Sequence, residues 1–141
     1  MHLVIDIGNT SAKIAVFSQG EMRYVVRCSN QSLEGLDELC QQYPIQKGIW
    51  ASVISISEEI QQQLQQLPFP MTEFTYQTPI PIRNLYQTPQ ALGVDRLAAV
   101  IAAYTQKPHH PALVIDAGTC ITYDFIDELG QYQGGNISPG M

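Results

Sequence analysis

The sequence contains little positive charge and little cysteine. Of its 141 residues, 7 are Lys or Arg and 13 are Asp or Glu, so the formal net charge is −6 at pH 7. Binding to nucleic acid or to an anionic membrane requires clustered Lys and Arg, and we therefore expect neither as a partner. Cys28, Cys40 and Cys120 lie far apart and form no Cys-x-x-Cys pair, so neither a disulfide framework nor a zinc site is indicated. We expect three buried or idle thiols.

Long apolar runs are also missing. The longest, from Leu97 to Tyr104, is too short to cross a bilayer, and the N-terminus lacks a basic flank followed by an apolar stretch. With 45% apolar and 14% charged residues, the composition is that of a globular domain. We expect a cytoplasmic protein whose partners are small molecules.

A buried-strand pattern followed by a polar turn lies near the N-terminus. Leu3–Ile7 is apolar except for Asp6, and an alternating apolar run follows from Ala12 to Val16. Gly8 and Asn9 accept the positive φ of a tight turn, so the segment predicts a β-hairpin whose tip exposes backbone N–H groups. Such a tip suits phosphate, and the acid could hold the water shell of Mg²⁺. An ordinary hairpin with the acid capping its turn explains this one pattern equally well.

The same pattern occurs a second time. Leu113–Thr119 aligns on the first copy, with Asp116 at the position of Asp6 and Gly118 at the position of Gly8. Two copies of one hairpin indicate two related domains. An acid followed by Gly and Thr at two strand ends is what a cleft that binds one polyphosphate from two sides would need.

The residues between the two copies predict an α/β fold. Strands are expected at residues 21–27, 48–53 and 74–76, and residues 78–88 as a structured loop. Ser32 is the expected N-cap of one helix, and the capping box Ser55-x-x-Glu58 begins the next. The resulting order β-β-β-α-β-α-β is an α/β pattern around a mixed sheet.

A further helix is predicted with Thr88 as its cap and Pro89 in its first turn, and its apolar residues continue from Ala91 to Tyr104. This helix carries two charges among apolar neighbours. Asp95 and Arg96 have mainly Ala, Leu and Val residues at helical spacing around them. A charge so placed is costly unless it is paired or used. Taken alone, the helix leaves two explanations open: a functional site, or ion pairs with other elements that hold the helix in place.

Four motifs in order resemble those of the type III pantothenate kinases. They are Asp6-x-Gly8-Asn9-Thr10, Gly93-x-Asp95-Arg96, Asp116-x-Gly118-Thr119-x-x-Thr122-x-Asp124 and Gly134-Gly135-x-Ile137-x-Pro139-Gly140. The family belongs to the superfamily of acetate and sugar kinases, heat-shock ATPases and actin. The resemblance implies a ribonuclease H-like, actin/hexokinase-type α/β domain with a mixed five-stranded sheet and flanking helices, followed by the opening hairpin of a second, duplicated domain. We expect the first domain at residues 1–108 and the start of the second at 109–141.

The resemblance also implies an activity, the phosphorylation of pantothenate by ATP at the start of coenzyme A biosynthesis. Asp95 would be the catalytic base that accepts the proton of the pantothenate hydroxyl. Pantothenate would bind at Tyr86, Gly93, Val94, Asp95 and Arg96. The ATP phosphates would bind at Asp6, Gly8, Asn9, Thr10, Lys13, Gly118 and Thr119, although Lys13 is equally well explained as a solvated lysine. Asp6 and Asp116 would serve Mg²⁺, and Asp124 would serve the monovalent cation, K⁺ or NH₄⁺.

Two other functions stay open at this point. Another phosphotransferase or phosphohydrolase of the superfamily would share the phosphate hairpins without requiring Tyr86 or the Gly93–Arg96 motif. A non-catalytic regulatory factor is the second alternative, which the intact Asp6, Asp95 and Asp116 disfavour.

Two expectations concern assembly and activity. The resemblance implies a homodimer, and the apolar helix from Ala91 to Tyr104 could supply part of a two-fold interface. Family members continue well beyond the second hairpin, so we expect an uncovered apolar surface on residues 113–127. We also expect weak nucleotide binding and negligible turnover by the 141-residue chain alone, because positioning by both domains provides most of the catalysis in phosphoryl transfer.

Overall fold

A computed structural model of the protein describes residues 1–140. The chain divides into two compact units, one from Met1 to Thr75 and one from Tyr76 onward. The first unit contains five strands and two helices: β1 (His2–Ile7), β2 (Ala12–Ser18), β3 (Glu21–Cys28), α1 (Leu36–Gln42), β4 (Lys47–Ser52), α2 (Glu58–Gln65) and β5 (Met71–Glu73).

The five strands form one mixed sheet in the order β3-β2-β1-β4-β5. Strand β1 pairs antiparallel with β2 and parallel with β4, which places it at the centre. Its alternate side chains Leu3, Ile5 and Ile7 are fully or almost fully buried and pack in one apolar core with α1 and α2. The predicted order β-β-β-α-β-α-β and the mixed five-stranded sheet are confirmed.

The first helix begins later than predicted. Leu33 is fully buried but has φ 46°, in the left-handed region, so an α-helix cannot run through it. Helix α1 starts after Gly35, which has φ 84°, and Ser32 instead donates a hydrogen bond to Glu34. The prediction of Ser32 as N-cap was therefore wrong, because the chain makes a turn between this serine and the helix.

Two other boundaries also differ from prediction. The cap of α2 is Ser57, whose hydroxyl accepts a hydrogen bond from the N–H of Ile60 at 3.2 Å, and not Ser55. The last strand of the first unit covers Met71–Glu73 rather than residues 74–76, because its pairing partner is Gly48–Trp50 of β4.

The second unit contains a four-stranded sheet and one α-helix. Its elements are β6 (Arg83–Asn84), a 3-10 turn (Pro89–Ala91), α3 (Val94–Gln106), β7 (Ala112–Ala117), β8 (Cys120–Ile126) and β9 (Gln131–Pro139). Strands β7, β8 and β9 form an antiparallel meander, and β6 pairs parallel with β9. The helix predicted to begin after Thr88 starts at Val94, because Leu92 is extended and Gly93 is the cap. Thr88 precedes only the 3-10 turn.

Helix α3 packs on β7 and β8, which assigns it to the second unit. The division between the units therefore falls after Thr75, earlier in the chain than the predicted boundary at residue 108. Side chains alternate across the sheet, so one face carries Asp124 and Ile126 and the other carries Leu113 and Phe125. The first pair is buried, whereas the second pair is 62% and 50% exposed, so the expected uncovered apolar surface is present.

Within the described part of the chain, no helix is long and apolar enough to span a bilayer.

The two candidate caps of α2 provide a matched test of the fold. Replacing Ser57 with Ala removes the acceptor for the Ile60 N–H, so we expect Ser57→Ala to lower the free energy of unfolding by about 1 kcal/mol. Ser55→Ala, at an exposed position two residues earlier and outside the helix, should change it by less than about 0.5 kcal/mol. Urea denaturation of both variants checks this, and a larger loss for Ser55→Ala than for Ser57→Ala would contradict the observed cap.

Candidate functional site

The turn between β1 and β2 covers residues 8–11 and differs from the predicted tight turn. Neither Gly8 nor Asn9 has a positive φ. The turn is instead closed by a hydrogen bond of 2.9 Å from the N–H of Gly8 to the carbonyl of Ser11. Asn30, which follows β3, donates its amide Nδ2 to the carbonyls of Gly8 and Asn9 at 2.9 and 3.0 Å. The turn is thus longer than expected, and the side chain of Asn30 stabilises it. Asn9 and Thr10 are exposed at its tip.

Asp6 lies one residue before the end of β1 and is half-buried. In the antiparallel register it is directly opposite Lys13 of β2, whose side chain is exposed. Opposite charges at such a pair attract each other across the strands. Lys13 therefore lies beside both Asp6 and the turn. This position is compatible with a solvated lysine and with a phosphate ligand.

The turn between β7 and β8 repeats this arrangement in the second unit. The N–H of Gly118 donates to the carbonyl of Cys120 at 2.9 Å, as Gly8 does to Ser11. Asp116 again lies one residue before the end of its strand, opposite Thr122. The two copies therefore share a glycine N–H that closes the turn, but the first turn covers residues 8–11 and the second only residues 118–119. Gly118 and Thr119 are exposed at the second tip as Asn9 and Thr10 are at the first.

Gly140 packs directly on the second turn. Its N–H donates to the carbonyl of Thr119 at 3.1 Å, and a Cβ at this position would overlap the backbone of Gly118 and Thr119. This contact explains why a glycine ends the fourth motif. The motif supports the turn from the end of β9 and need not touch a ligand to do so.

The first turn of α3 holds the Asp95 carboxylate against the backbone. Oδ1 accepts a hydrogen bond of 2.9 Å from the N–H of Arg96. A Cβ on Gly93 would lie 2.5 Å from this oxygen, although the φ of Gly93 is −59° and suits any residue. Gly93 therefore leaves the space into which the Asp95 carboxylate fits, and a side chain there would have to displace this carboxylate. Asp95 itself is exposed, in contrast to the apolar surroundings that helical spacing predicts.

Arg96, the next residue of the helix, is buried. Its Nε donates to Oδ2 of Asp124 at 3.0 Å and its Nη2 donates to Oδ1 at 2.6 Å, a bidentate ion pair between α3 and β8. The hydroxyl of Tyr132 on β9 donates to the same Oδ1 at 2.6 Å. Exposure is 9% for Arg96, 2% for Asp124 and 0% for Tyr132. The sequence left two explanations open for this charged residue, a functional site or an ion pair with another element. For Arg96 the structure shows the ion pair.

Two pKa values follow from these contacts. The hydrogen bond to Asp124 raises the pKa of Arg96, so the guanidinium stays charged at any working pH. Burial, followed by the hydrogen bond to Asp124, raises the pKa of Tyr132 well above its usual range. Its hydroxyl therefore remains a proton donor to the carboxylate throughout the physiological range.

Tyr86 lies at the edge of the same cluster. A Cβ on Gly134 would come within 2.7 Å of its ring, and Gly134 also has φ 110°, so glycine is required there for both space and conformation. The tyrosine is close enough to Arg96 and Tyr132 to contribute to their raised pKa values. The structure thus brings Tyr86, Arg96 and Asp124 together in the second unit.

The donor groups for metals are sparse. Over residues 1–140, no group of three or more His, Cys, Asp or Glu side chains could hold a metal ion. Asp6 and Asp116 each offer one carboxylate at a strand end. Mg²⁺ is commonly bound by one or two carboxylates with water and substrate phosphates as its other ligands, so both positions fit an ion that binds with a nucleotide. Asp124 does not fit a monovalent cation, because Arg96 and Tyr132 already occupy both of its oxygens.

Sequence reasoning missed two residues of this site. Asn30 supports the first turn, and its only signal is its place in a polar Ser29-Asn30 pair after a strand. Tyr132 completes the buried cluster, and its signal is an aromatic residue two positions before Gly134. Cys120, expected to be buried or idle, is exposed beside the second turn, whereas Cys28 and Cys40 are half-buried.

The fold and the site define a mixed α/β protein with a duplicated Asp-x-Gly hairpin. A family model described as type III pantothenate kinase matches residues 2–141, and the chain belongs to this family. It is 60% identical over 141 residues to the type III pantothenate kinase of Phocaeicola vulgatus and 55% identical to that of Bacteroides fragilis. In both comparisons the match covers 100% of this chain and 58% of the relative, so the chain spans somewhat more than half the length of these proteins.

Among solved structures, the chain is similar to the Ppx/GppA phosphatase of Aquifex aeolicus. The TM-score is 0.47 at 16% identity, and the match covers 98% of this chain and 51% of that chain.

The close approach of β8 and β9 at Gly135 allows a sharp test of the second unit. A Cβ at this position would overlap the backbone carbonyl of Tyr123, which cannot move without breaking the strand pairing. We expect Gly135→Ala to lower the free energy of unfolding by about 3 kcal/mol or more. The exposed neighbour Asn136→Ala should stay within about 0.5 kcal/mol of the original chain in the same denaturation experiment. Equal stability of the two variants would contradict this strand register.

Proposed function

We propose that the protein transfers the γ-phosphoryl group of ATP to the primary hydroxyl of pantothenate, with Asp95 as the catalytic base. The observation that carries the proposal is the geometry of Asp95 in a chain of this family: the carboxylate is exposed at the start of α3 and is oriented by the N–H of Arg96. The chain spans 58% of the relatives' length, so we propose the complete reaction for a protein form that includes the region beyond it.

Asp95 would accept the hydroxyl proton as the hydroxyl attacks the γ-phosphate. Because Oδ1 is held by the N–H of Arg96, Oδ2 is the oxygen proposed to take the proton. A base fixed by the backbone loses little freedom when the substrate binds, and this positioning supplies much of the catalysis in phosphoryl transfer.

Each of the two turns would bind phosphate of ATP. Asn9, Thr10 and Thr119 are exposed and offer backbone N–H groups and threonine hydroxyls, which suit phosphate oxygens. The N–H of Gly118 is bonded to the carbonyl of Cys120, so this glycine would let a phosphate approach the backbone rather than donate to it. Asp6 and Asp116 would hold Mg²⁺ together with the nucleotide. When bound, the ion would neutralise the charge that develops on the phosphoryl group.

Pantothenate would bind next to the first turn of α3, at Tyr86 and along Gly93-Val94-Asp95-Arg96. The guanidinium of Arg96 keeps its Nη1 outside the ion pair, since Nε and Nη2 are the atoms that bind Asp124. This second terminal nitrogen would bind the pantothenate carboxylate. The guanidinium of Arg96 would thus bind two carboxylates, that of Asp124 through Nε and Nη2 and that of pantothenate through Nη1.

We further propose a homodimer located in the cytoplasm, where ATP is available. Helix α3 supports the assembly, because Ala98 and Ala102 leave small apolar side chains exposed on its surface. Such a surface is suited to close helix packing across a two-fold axis.

Cys120 provides a built-in probe of nucleotide binding by the 141-residue chain. This thiol is exposed beside Thr119, whereas burial raises the pKa of Cys28 and Cys40 and lowers their reactive thiolate fraction. We expect one fast-reacting thiol in labelling with a disulfide reagent, absent in Cys120→Ser. Mg²⁺-ATP at millimolar concentration should slow it by about twofold or more, with adenosine as the control. A fast phase unchanged at about 10 mM ATP would contradict phosphate binding at this turn.

The role of Asp95 is tested in a form of the protein that reaches the relatives' length. Asp95→Asn keeps the side-chain shape but removes the base, so we expect kcat to fall by about 10²–10⁴-fold while ATP affinity is retained. Asp37→Asn, an exposed acid in the first turn of α1, is the matched control and should leave kcat unchanged. Near-normal turnover of Asp95→Asn in a coupled ADP-release assay would remove Asp95 from this role.

A further inference from the structure

Asp124 is the buried acid of the second unit, and its surroundings account for both of its oxygens. Oδ2 accepts from Nε of Arg96, and Oδ1 accepts from Nη2 of Arg96 and from the hydroxyl of Tyr132. The three donors come from α3 and β9, whereas Asp124 itself is on β8. One carboxylate therefore connects three elements of the unit.

The charges at this position are already balanced. The guanidinium of Arg96 is the counter-cation of Asp124, and Tyr132 contributes a hydrogen bond without charge. A monovalent cation at Asp124 would have to displace these donors, or lie beside a guanidinium at a position only 2% exposed, where the repulsion of like charges is weakly screened. The structure thus disagrees with a cation site at this carboxylate.

We infer that Asp124 and Tyr132 are positioning residues for the catalytic base rather than ligands of a cation, an inference that rests on the proposed function of Asp95. Together they hold Arg96, and Arg96 follows Asp95 directly in the first turn of α3.

The connection from Asp124 to Asp95 runs through a single residue. The side chain of Arg96 is fixed in two directions by its bidentate contact, which also fixes the rotation of the helix at this point. The backbone N–H of the same residue donates to Oδ1 of Asp95 and to the carbonyl of Gly93, at 2.9 and 3.1 Å. A shift of Arg96 would therefore move the hydrogen bond that orients the base.

Gly93 makes the orientation of the base sensitive to such a shift. The Asp95 oxygen occupies the space where a Cβ of residue 93 would stand, 2.5 Å away. The carboxylate therefore fits closely against the backbone, and its position depends on the first turn keeping its present geometry.

Nuclear magnetic resonance of the 141-residue chain tests the inference without requiring turnover. The chain has four arginines, Arg23, Arg27, Arg83 and Arg96, so the four Nε–Hε signals can be assigned through single Lys substitutions at the first three, which are exposed. We expect the Arg96 signal to exchange with water at least about tenfold more slowly than the others. It should be the same in KCl, NaCl and tetramethylammonium chloride at equal ionic strength.

The second measurement compares the backbone amide of Arg96 in the original chain and in Asp95→Asn. Because this N–H donates to the Asp95 carboxylate, its proton shift should change when the carboxylate is replaced by a neutral amide. Tyr132→Phe removes one hydroxyl and retains the buried ring, and we expect it to reduce the amplitude of this change by about twofold or more. Tyr104→Phe is the matched control, because Tyr104 is on helix α3 with Arg96 but lies outside the cluster.

Three results would overturn the inference. The first is a K⁺-specific change in the signals of Arg96 or Asp124 of the original chain. The second is an Arg96 Nε–Hε signal that exchanges as fast as those of the exposed arginines. The third is a change of the Arg96 amide shift, on replacing Asp95 with Asn, that is as large in the Tyr132→Phe background as in the Tyr104→Phe background. The first two require no variant of the cluster, and all three are independent of whether pantothenate is the substrate.

Discussion

The second unit depends on one ion pair between a helix and a strand. Arg96 and Asp124 are both almost completely buried, and removing either partner would leave an uncompensated charge at a cost of about 3–5 kcal/mol. Because the contact is bidentate, it fixes the rotation of α3 as well as its distance from β8. The backbone N–H of Arg96 in turn donates to the carboxylate of Asp95 in the first turn of the helix. The helical member of a structural ion pair, Arg96, thus directly follows the proposed catalytic Asp95 in the sequence.

The glycines of the motifs act mainly by leaving space. Gly93 makes room for a carboxylate, Gly135 lets two strands approach, and Gly140 lets β9 end against the second turn. Gly134 alone among the four combines a positive φ with a neighbouring ring, that of Tyr86. These four glycines are therefore explained largely by contacts within the chain. Ligand contacts of their motifs are expected from the residues between the glycines.

Much of the fold could be predicted because its strands carry strong periodic signals. Leu3, Ile5 and Ile7 alternate on one face of β1, and the copied hairpin has the same acid at the same place. Helix starts were predicted less well, since Ser32 and Ser55 are good caps in isolation and only the path of the chain selects Gly35 and Ser57. The partner of Arg96 was not predictable in this way, because no local pattern links it to an acid and a tyrosine on two other strands. The positions of the Asp-x-Gly turns were predicted, but their backbone conformation was not.

The uncovered face of the second sheet has a consequence for the protein in concentrated solution. Among the described residues β7 is an edge strand of its sheet, and Leu113 and Ile115 on it are 62% and 57% exposed. An apolar strand with an open edge is a template for intermolecular pairing, which the net charge of −6 opposes by long-range repulsion between molecules. At physiological ionic strength, salt reduces the range of that repulsion to about 8 Å and leaves the apolar attraction intact. The colloidal stability of the chain is therefore greatest at low ionic strength and decreases as salt is added or as the pH approaches its isoelectric point of about 4.8.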